Sequence, residues 1–202
     1  YAAAKAGGDL MCHAYFVTHN VPVVVTHCSN NYGPYQFPEK LIPFFVFKLM
    51  KNKKVPIYGD GKNIRDWIHV NDHVKALDVL LHKGVSGEVY NIGADNERSN
   101  LNITHMILDI MGFGTEQIEY VTDRPGHDRR YAINASKIRS LGWTPEYGPK
   151  QFHKGLEQTV QWYKDNTNWV EDLWNKKKNE MNAFQEKIEH SDTKMDVSKR
   201  ID

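Results

Sequence analysis

Hydrophobic and polar positions change their spacing repeatedly along the chain, and each spacing predicts one kind of secondary structure. Short apolar or β-branched runs predict buried strands, whereas segments with apolar residues three and four apart predict helices. We expect strands at residues 23–26, 55–58, 64–70, 88–92 and 118–121. We expect helices at residues 1–20, 39–51, 71–82 and 103–111, with Asn71 capping the third.

This alternation of strands and helices continues to about residue 122 and favours an α/β fold with at least partly parallel strand pairing. The later part of the chain is richer in helix and loop. Asn134 is placed to cap a short helix that stops before Gly142, and Pro149 begins a last amphipathic helix. One face of that helix carries Phe152, Leu156, Val160 and Tyr163.

From residue 176 onward the chain is polar and carries no glycine- or proline-rich linker. We therefore predict one domain at residues 1–175, followed by a charged tail at residues 176–202 that is disordered or helical.

The composition narrows the possible functions. The chain has 202 residues, of which 40% are hydrophobic and 25% charged, and its formal net charge is +1. This charge offers no electrostatic attraction to nucleic acid or to an anionic membrane, so we expect neither as a partner. No apolar run approaches the roughly 20 residues that cross a bilayer. The two cysteines, Cys12 and Cys28, have no partner at metal-ligand spacing, which predicts buried free thiols and a reducing, cytoplasmic compartment.

The first residues offer candidate chemistry, because Tyr1 and Lys5 are four apart and would share one helix face. A tyrosine phenol is a poor base at neutral pH unless a nearby cation stabilises the phenolate. Such a pair suits the removal of a hydroxyl proton while hydride leaves the same carbon. The spacing alone favours the alternative of two exposed helix residues without a catalytic role. Alanines and glycines surround the pair, so a cofactor or a neighbouring helix could approach closely.

A second candidate is the turn-rich loop at residues 29–34, which directly follows the first predicted strand. Open α/β sheets bind ligands at the carboxyl ends of their strands. The amides of Asn30 and Asn31 provide both donors and acceptors. An Asx turn without a ligand remains the alternative for this segment.

Several charged residues also have a simpler interpretation, in which they form ion pairs and bind no ligand. Arg65 and Asp66 could form a surface ion pair, and at least one of Arg129 and Arg130 is expected to pair with an acidic residue of its own loop. The ten histidines show no clustering typical of metal ligands, so no metal site is predicted.

The motifs taken together resemble a known family. They are Tyr1-x-x-x-Lys5, Ser-Asn-Asn-Tyr-Gly-Pro at 29–34, Phe-Pro-Glu-Lys-Leu-Ile-Pro at 37–43, Pro-Ile-Tyr-Gly-Asp-Gly at 56–61, Ile-Arg-Asp-Trp at 64–67, Tyr-Asn-Ile-Gly at 90–93 and Asp-Arg-Pro-Gly-His-Asp-Arg-Arg-Tyr at 123–131. This set resembles the NAD-dependent epimerase/dehydratase family, the extended branch of the short-chain dehydrogenases/reductases. Within that branch it is similar to the dehydratases that act on dTDP-glucose, and the match covers about residues 1–174.

The resemblance implies a fold, a cofactor and a reaction. The fold would be the C-terminal part of a Rossmann-type, doubly wound parallel sheet, interleaved with a smaller α/β lobe that binds the nucleotide sugar. NAD would oxidise C4 of dTDP-glucose, water would leave across C5 and C6, and hydride would return to C6. The family also implies a homodimer, with the helix that carries Tyr1 at the interface.

The resemblance further implies roles for individual residues. Tyr1 and Lys5 would be catalytic and would also contact the cofactor, together with Cys28 and Asn31. The substrate would be bound by Asn30, Lys40, Leu41, Pro56, Ile57, Tyr58, Arg65, Asn100, Asp123, Arg124, Pro125, Gly126 and His127. Among these, Pro56, Ile57 and Tyr58 would line the nucleobase pocket, whereas Arg65 and Arg124 would hold the diphosphate.

One expected motif does not occur in the chain. No glycine-rich turn joins a strand to a helix, although the family has one upstream of the catalytic tyrosine, together with a threonine and an Asp-Glu pair that eliminates water. We therefore expect a C-terminal fragment that alone neither holds NAD well nor completes the reaction. The alternatives are another nucleotide-sugar epimerase or decarboxylase of the branch, a non-catalytic nucleotide-sugar-binding module, and a fragment that does not fold.

Overall fold

A computed structural model describes residues 1–177 of the chain as a mixture of helices and short strands. The helices are α1 (Ala2–His19), α2 (Leu41–Met50), α3 (Val70–Lys83), α4 (Asn100–Met111), α5 (Ser136–Arg139) and α6 (Phe152–Asp165). The strands are β1 (Val25–Cys28), β2 (Asn30–Tyr32), β3 (Val55–Tyr58), β4 (Ile64–His69), β5 (Val89–Ile92), β6 (Glu97–Ser99), β7 (Ile118–Val121) and β8 (Arg130–Tyr131). A 3-10 turn covers Thr115–Gln117, and residues 167–177 are helical.

Most strand pairs are parallel, which confirms the predicted α/β class. β1 pairs with β5, β2 with β4, β3 with β7 and β8 with β4, all in parallel register. Only the pairing of β4 with β6 is antiparallel among the described strands. Because parallel neighbours end at the same edge, the loops that follow β3 and β7 lie side by side.

The larger hydrophobic core is formed by α2, α4 and α6 over β3, and we call it the α2–α4–α6 core. The predicted apolar face of α6 is confirmed, because its four residues are all at most 1% exposed. A smaller core lies between α3, β4 and β5 and includes Trp143. The Nε1 of Trp143 donates to the backbone carbonyl of Asp72, which ties the chain after α5 to α3.

Two buried carboxylates organise the loops around the smaller core. Asp72 is fully buried and accepts hydrogen bonds from the backbone N–H groups of Glu146 and Tyr147, both at 2.9 Å. Asp66, 1% exposed, accepts in the same way from Ala94 and Asn96. Each carboxylate satisfies two backbone donors that would otherwise be buried without partners.

Some local predictions were wrong. Asn71 does not cap α3; the ring Nδ1 of His69 accepts from the backbone N–H of Asn71 instead. The first strand is shifted to Val25–Cys28, and the loop at 29–34 contains the short strand β2. β2, β6 and β8 have two or three residues each, too few to show a period, and form only because β4 pairs with them.

Three other expectations concern the whole chain. Within residues 1–177, no helix combines the length and the apolar character that a bilayer crossing requires. Cys12 and Cys28 are free thiols, as predicted, but both are partly exposed rather than buried. Apart from residues 176 and 177, the predicted tail at 176–202 lies outside the described residues.

Candidate functional site

Tyr1 and Lys5 occupy the first turn of α1. Tyr1 is the N-cap residue and is 97% exposed, and its backbone carbonyl accepts from the N–H of Lys5 at 3.1 Å. The Nζ atom of Lys5 lies 5.9 Å from the centre of the Tyr1 ring. The two side chains therefore share one face of the helix, close enough for the ammonium to act on the ring.

The direction of α1 decides where this pair lies relative to the strands. Near its C-terminal end, Phe16 packs against Gly87 and lines a pocket with Val23, before β1 begins. Further toward the N-terminus, Asp9 lies 2.8 Å from Nε2 of His27, near the end of β1. α1 therefore runs antiparallel to β1, and its first turn lies beyond the carboxyl end of that strand.

Three other predicted residues lie at the same edge, in and just before β2. Side chains of a strand alternate between its two faces, so Asn30 and Asn31 point in opposite directions. Asn31 shares its face with Ile68, its parallel partner on β4, whereas Asn30 shares its face with Trp67. The Asn31 amide donates to the Ser29 carbonyl at 3.1 Å and to Sγ of Cys28 at 3.4 Å. Cys28 and Asn31 are thus in contact, with Asn30 turned away from them.

A pocket of about 190 Å³ collects five of the residues that the resemblance assigns to the substrate. It is lined by Leu41 of α2, by Pro56, Ile57 and Tyr58 of β3, and by Asn100 at the start of α4. Tyr58 is 49% exposed at the mouth, whereas Ile57 is 2% exposed at the base. An apolar slot with an exposed aromatic ring can receive a planar base.

Two adjacent loops lie next to this pocket, where β3 and β7 end. Gly59 follows β3 with φ of +56°, and a Cβ atom there would meet Oδ2 of Asp123 at 3.0 Å. Asp123 lies in the loop after β7, the parallel neighbour of β3. The next residue, Asp60, accepts a bidentate pair of bonds from Arg129 at 2.7 and 3.0 Å. The loop at residues 122–129 is therefore fixed against the turn at residues 59–62.

The ion pairs of this loop differ from the prediction. Arg129 pairs with Asp60 and Arg130 with Glu97 of β6, so both arginines have acidic partners, but from outside their own loop. The guanidinium of Arg129 holds the pKa of Asp60 well below its usual range, chiefly through these hydrogen bonds. Arg129 and Arg130 are therefore already neutralised within the chain.

Arg65 differs from these two arginines. It is 8% exposed, and within residues 1–177 its guanidinium makes one hydrogen bond, from Nη1 to the carbonyl of Ile64 at 2.7 Å. Burial is the main cause that lowers its pKa, and the nearby positive charge of Arg124 acts in the same direction, although Asp128 opposes it. The surface ion pair with Asp66 does not exist, because Asp66 bonds to backbone amides. Two neighbouring guanidiniums of this kind would be stabilised by an added anion.

His127 and Asp123 form a pair at the same corner. Nδ1 of His127 lies 2.7 Å from Oδ1 of Asp123, and the histidine side chain is 8% exposed. The hydrogen bond with His127 is the main cause that lowers the pKa of Asp123. Asp123 is thereby held as a carboxylate, with the ring of His127 fixed beside it.

Three of the predicted substrate residues lie at exposed positions outside the pocket. Lys40 is the N-cap of α2 and pairs with Glu39 at 3.2 Å, with its side chain directed to solvent. Pro125 and Gly126 are exposed at the tip of the loop after β7, where Gly126 adopts φ of +67° in open space. None of these three lines the pocket.

The sequence analysis missed several residues of this region. Glu39, Phe44 and Phe45 also line the pocket, and the spacing of Leu41, Phe44 and Phe45 on one helix face could have shown two of them. His73 of α3, whose Nδ1 lies 2.9 Å from Oδ1 of Asn31, gave no signal, because 42 residues separate the two in sequence. Among residues 1–177, no group of three or more His, Cys, Asp or Glu side chains could hold a metal ion.

With this geometry established, the chain can be compared with known proteins. Residues 1–159 match the GDP-mannose 4,6 dehydratase family. The chain belongs to this family. It is 49% identical over 181 residues to the dTDP-glucose 4,6-dehydratase of Shigella flexneri, covering 86% of this chain and 49% of that protein. The resemblance inferred from the motifs is therefore confirmed, and the chain spans about half the length of the curated relatives it matches.

Solved structures of family members and relatives agree with the fold. The dTDP-glucose 4,6-dehydratase of Bacillus anthracis str. Ames, solved in complex with NAD, has a TM-score of 0.80 and 53% identity, covering 86% of this chain and 54% of its own. The UDP-glucose 4-epimerase of Thermotoga maritima, solved with UDP-glucose, has a TM-score of 0.77 but only 26% identity, covering 83% and 54%. The fold is therefore common to both enzymes, whereas the sequence is nearer to the dehydratase.

Proposed function

We propose that the chain is the nucleotide-sugar-binding part of an NAD-dependent dTDP-glucose 4,6-dehydratase, which converts dTDP-glucose to dTDP-4-keto-6-deoxyglucose. The observation that carries the proposal is the pocket formed by α2, β3 and α4. It gathers five residues that the resemblance assigns to the nucleotide sugar. Relatives at about half identity carry the dehydratase name, which supports the same substrate.

The pocket would receive the thymine base, and the corner beside it would receive the diphosphate. Tyr58 offers a ring for stacking. Arg65 has no carboxylate partner among the described residues and lies near Arg124, so these two guanidiniums are the candidates for the phosphate oxygens. His127 and Asn100 lie at the same corner and supply further polar contacts.

The residues at the carboxyl edge of β1 and β2 fit the nicotinamide-ribose end of NAD. Tyr1, Lys5, Cys28 and Asn31 all lie at that edge, and they offer a phenol, an ammonium and an amide in one region. When bound, NAD would accept the hydride from C4 and return it to C6. Tyr1 would take the C4 hydroxyl proton, and Lys5 would stabilise the phenolate while contacting the ribose. The motifs matched in this chain assign no residue to the elimination of water.

The decisive experiment follows the hydrogen at C4. dTDP-glucose labelled with deuterium at C4 is incubated with NAD and the whole enzyme of which the chain is proposed to be part, and the product is analysed by NMR and mass spectrometry. A dehydratase places the label in a new methyl group at C6 and lowers the mass by one water. An epimerase would return the label to C4 and keep the mass, an outcome that would overturn the proposal in favour of the other enzymes of the branch.

A non-catalytic nucleotide-sugar-binding module is the second candidate, because the chain spans about half the length of the curated relatives it matches. Calorimetry of the whole protein that contains this chain, with dTDP-glucose and, separately, with NAD, distinguishes the two. Tight binding of dTDP-glucose without any binding of NAD would favour the binding module. Binding of both ligands would support the enzyme.

We also propose a homodimer that works in the cytoplasm. α1 exposes Leu10, Met11, Tyr15 and Val17 by 53 to 70%, so this helix offers an apolar face to a second copy. The free thiols of Cys12 and Cys28 suit a reducing compartment. Light scattering on Leu10→Glu tests the first part, because an added charge at the interface should shift a dimer to monomer.

A further inference from the structure

The side chain of Asn31 is held by three partners inside the chain. Its Nδ2 donates to the carbonyl of Ser29 at 3.1 Å and to Sγ of Cys28 at 3.4 Å. Its Oδ1 lies 2.9 Å from Nδ1 of His73 on α3. Its backbone carbonyl accepts from Nε2 of Gln36 at 2.7 Å. Both the backbone and the amide of Asn31 are therefore fixed.

The Ser29 carbonyl decides which way the amide points. A carbonyl oxygen can only accept, so the NH₂ group of Asn31 must face it, because the opposite rotamer would set two acceptors against each other. Oδ1 consequently faces His73. The ring nitrogen Nδ1 of His73 must then carry a hydrogen, which fixes the tautomer of the neutral ring.

This arrangement limits what the Asn31 side chain can still bind. Both amide hydrogens are engaged, and one of the two lone pairs of Oδ1 receives the hydrogen from His73. The remaining capacity of the side chain is a single lone pair on Oδ1. Without His73, the amide would lose the partner that holds Oδ1 in place.

We propose that His73 is a positioning residue, which holds Oδ1 of Asn31 in place and, together with the Ser29 carbonyl, commits Asn31 to act as a hydrogen-bond acceptor toward the ligand bound at the carboxyl edge of β2. The ligand group that meets Asn31 must then be a donor, an amide N–H or a hydroxyl, rather than a phosphate or carbonyl oxygen. The proposal rests on the proposed function, in which both NAD and dTDP-glucose carry such donors.

Two variants separate this role from simple packing. His73→Leu removes the donor and keeps an apolar side chain of similar bulk, whereas His73→Asn keeps an N–H donor close to the position of Nδ1. His82→Leu, on the exposed C-terminal turn of the same helix, is the matched control. Circular dichroism melting of each variant verifies that α3 is intact.

The first measurement is ¹⁵N NMR of the 202-residue chain. We expect the Nδ1–H tautomer at His73 and slow hydrogen exchange at the Asn31 amide. The slow exchange should be lost in His73→Leu and retained in His73→Asn. An Nε2–H tautomer, or an Asn31 amide that is unaffected by His73→Leu, would overturn the proposal.

The second measurement is calorimetry with NAD and with dTDP-glucose in separate titrations. We expect His73→Leu to weaken by about ten-fold the binding of the ligand that meets Asn31, and His73→Asn to restore it. Unchanged affinity of His73→Leu for both ligands would also overturn the proposal. If the wild-type chain binds neither ligand, the proposed function fails, whereas the NMR measurement still decides whether His73 orients Asn31.

Discussion

Helix α6 buries one entire face in the α2–α4–α6 core, whereas the longer helix α1 buries no residue at all. The pocket formed by α2, β3 and α4, which is proposed to bind the nucleotide sugar, lies against the first region, and the candidate catalytic pair lies on the second. The comparison indicates that the packing of the α2–α4–α6 core holds the pocket in place. The position of Tyr1 and Lys5, by contrast, depends on few contacts within the described residues.

The largest difference between the two regions should appear when the same side chain is truncated in each. Leu156→Ala removes a fully buried side chain of α6 and should lower the free energy of unfolding by about 2–5 kcal/mol. Leu10→Ala in α1, at a position 70% exposed in the single chain, should change the free energy of unfolding of the monomer by less than about 0.5 kcal/mol. Urea denaturation of both variants, at a protein concentration where light scattering shows monomer, measures this. Equal losses would show that α1 is packed as tightly as α6.

A second prediction concerns binding at the pocket. Tyr58→Ala should weaken the affinity for dTDP by about ten-fold, because stacking on one aromatic ring contributes about 1–3 kcal/mol per base. Tyr120→Ala is the matched control, since Tyr120 lies on the neighbouring strand β7, is 61% exposed and does not line the pocket. Calorimetry with dTDP measures both. A comparable loss in the two variants would place the base elsewhere.

The third prediction is that the stability of the fold depends on pH through a buried histidine. Burial lowers the pKa of His69, although Asp72 and Glu146 oppose the shift. Below about pH 6.5 the unfolded chain therefore binds more protons at this residue than the folded chain does, and stability falls as the pH is lowered. Protonation of Nδ1 also removes the cap of α3.

The variant that tests this dependence is His69→Asn, because asparagine can cap the helix but does not titrate. We expect the loss of stability between pH 7 and pH 5.5 to shrink by up to about 1 kcal/mol relative to the wild type. Part of the dependence should remain, since burial also lowers the pKa of His73. Urea denaturation at the two pH values measures the difference, and an unchanged loss would contradict the role of His69.

The smallest effect is expected at the ion pair that joins α1 to β1. Asp9 and His27 are each 45% exposed and make a single contact of 2.8 Å. Asp9→Asn should therefore change the free energy of unfolding by no more than about 0.5 kcal/mol. A clearly larger loss would show that this one contact anchors α1.

Much of the packed region could be predicted from the sequence. The face of α6 is visible because Phe152, Leu156 and Val160 repeat every four residues, and a helix with that pattern must bury them. The strands β3 and β7 were predicted with their actual bounds because each is a short run rich in β-branched and aromatic residues between turn residues. These predictions depend on local period, which a single sequence displays directly.

The remaining features depend on contacts between distant segments. Arg65 is buried because β6 and β8 pair on either side of it, and neither strand has enough residues to show a period. The cap of α3 was assigned to Asn71 because asparagine is a common cap, whereas the ring of His69 takes that role and also packs against Tyr32 and Tyr147. The contact between His73 and Asn31 likewise arises only when α3 crosses over β2.

The antiparallel course of α1 along β1 has a mechanical consequence. Tyr1 lies eight residues before Asp9, so a helix of standard rise carries the phenol about 12 Å beyond the contact with His27. If α1 tilted by about 10° around this contact, the phenol of Tyr1 would therefore move by about 2 Å. A misplacement of about 1 Å can cost a reaction about a hundred-fold in rate. Under the proposed role of Tyr1 as the base, contacts that hold α1 rigid would therefore help to set the reaction rate.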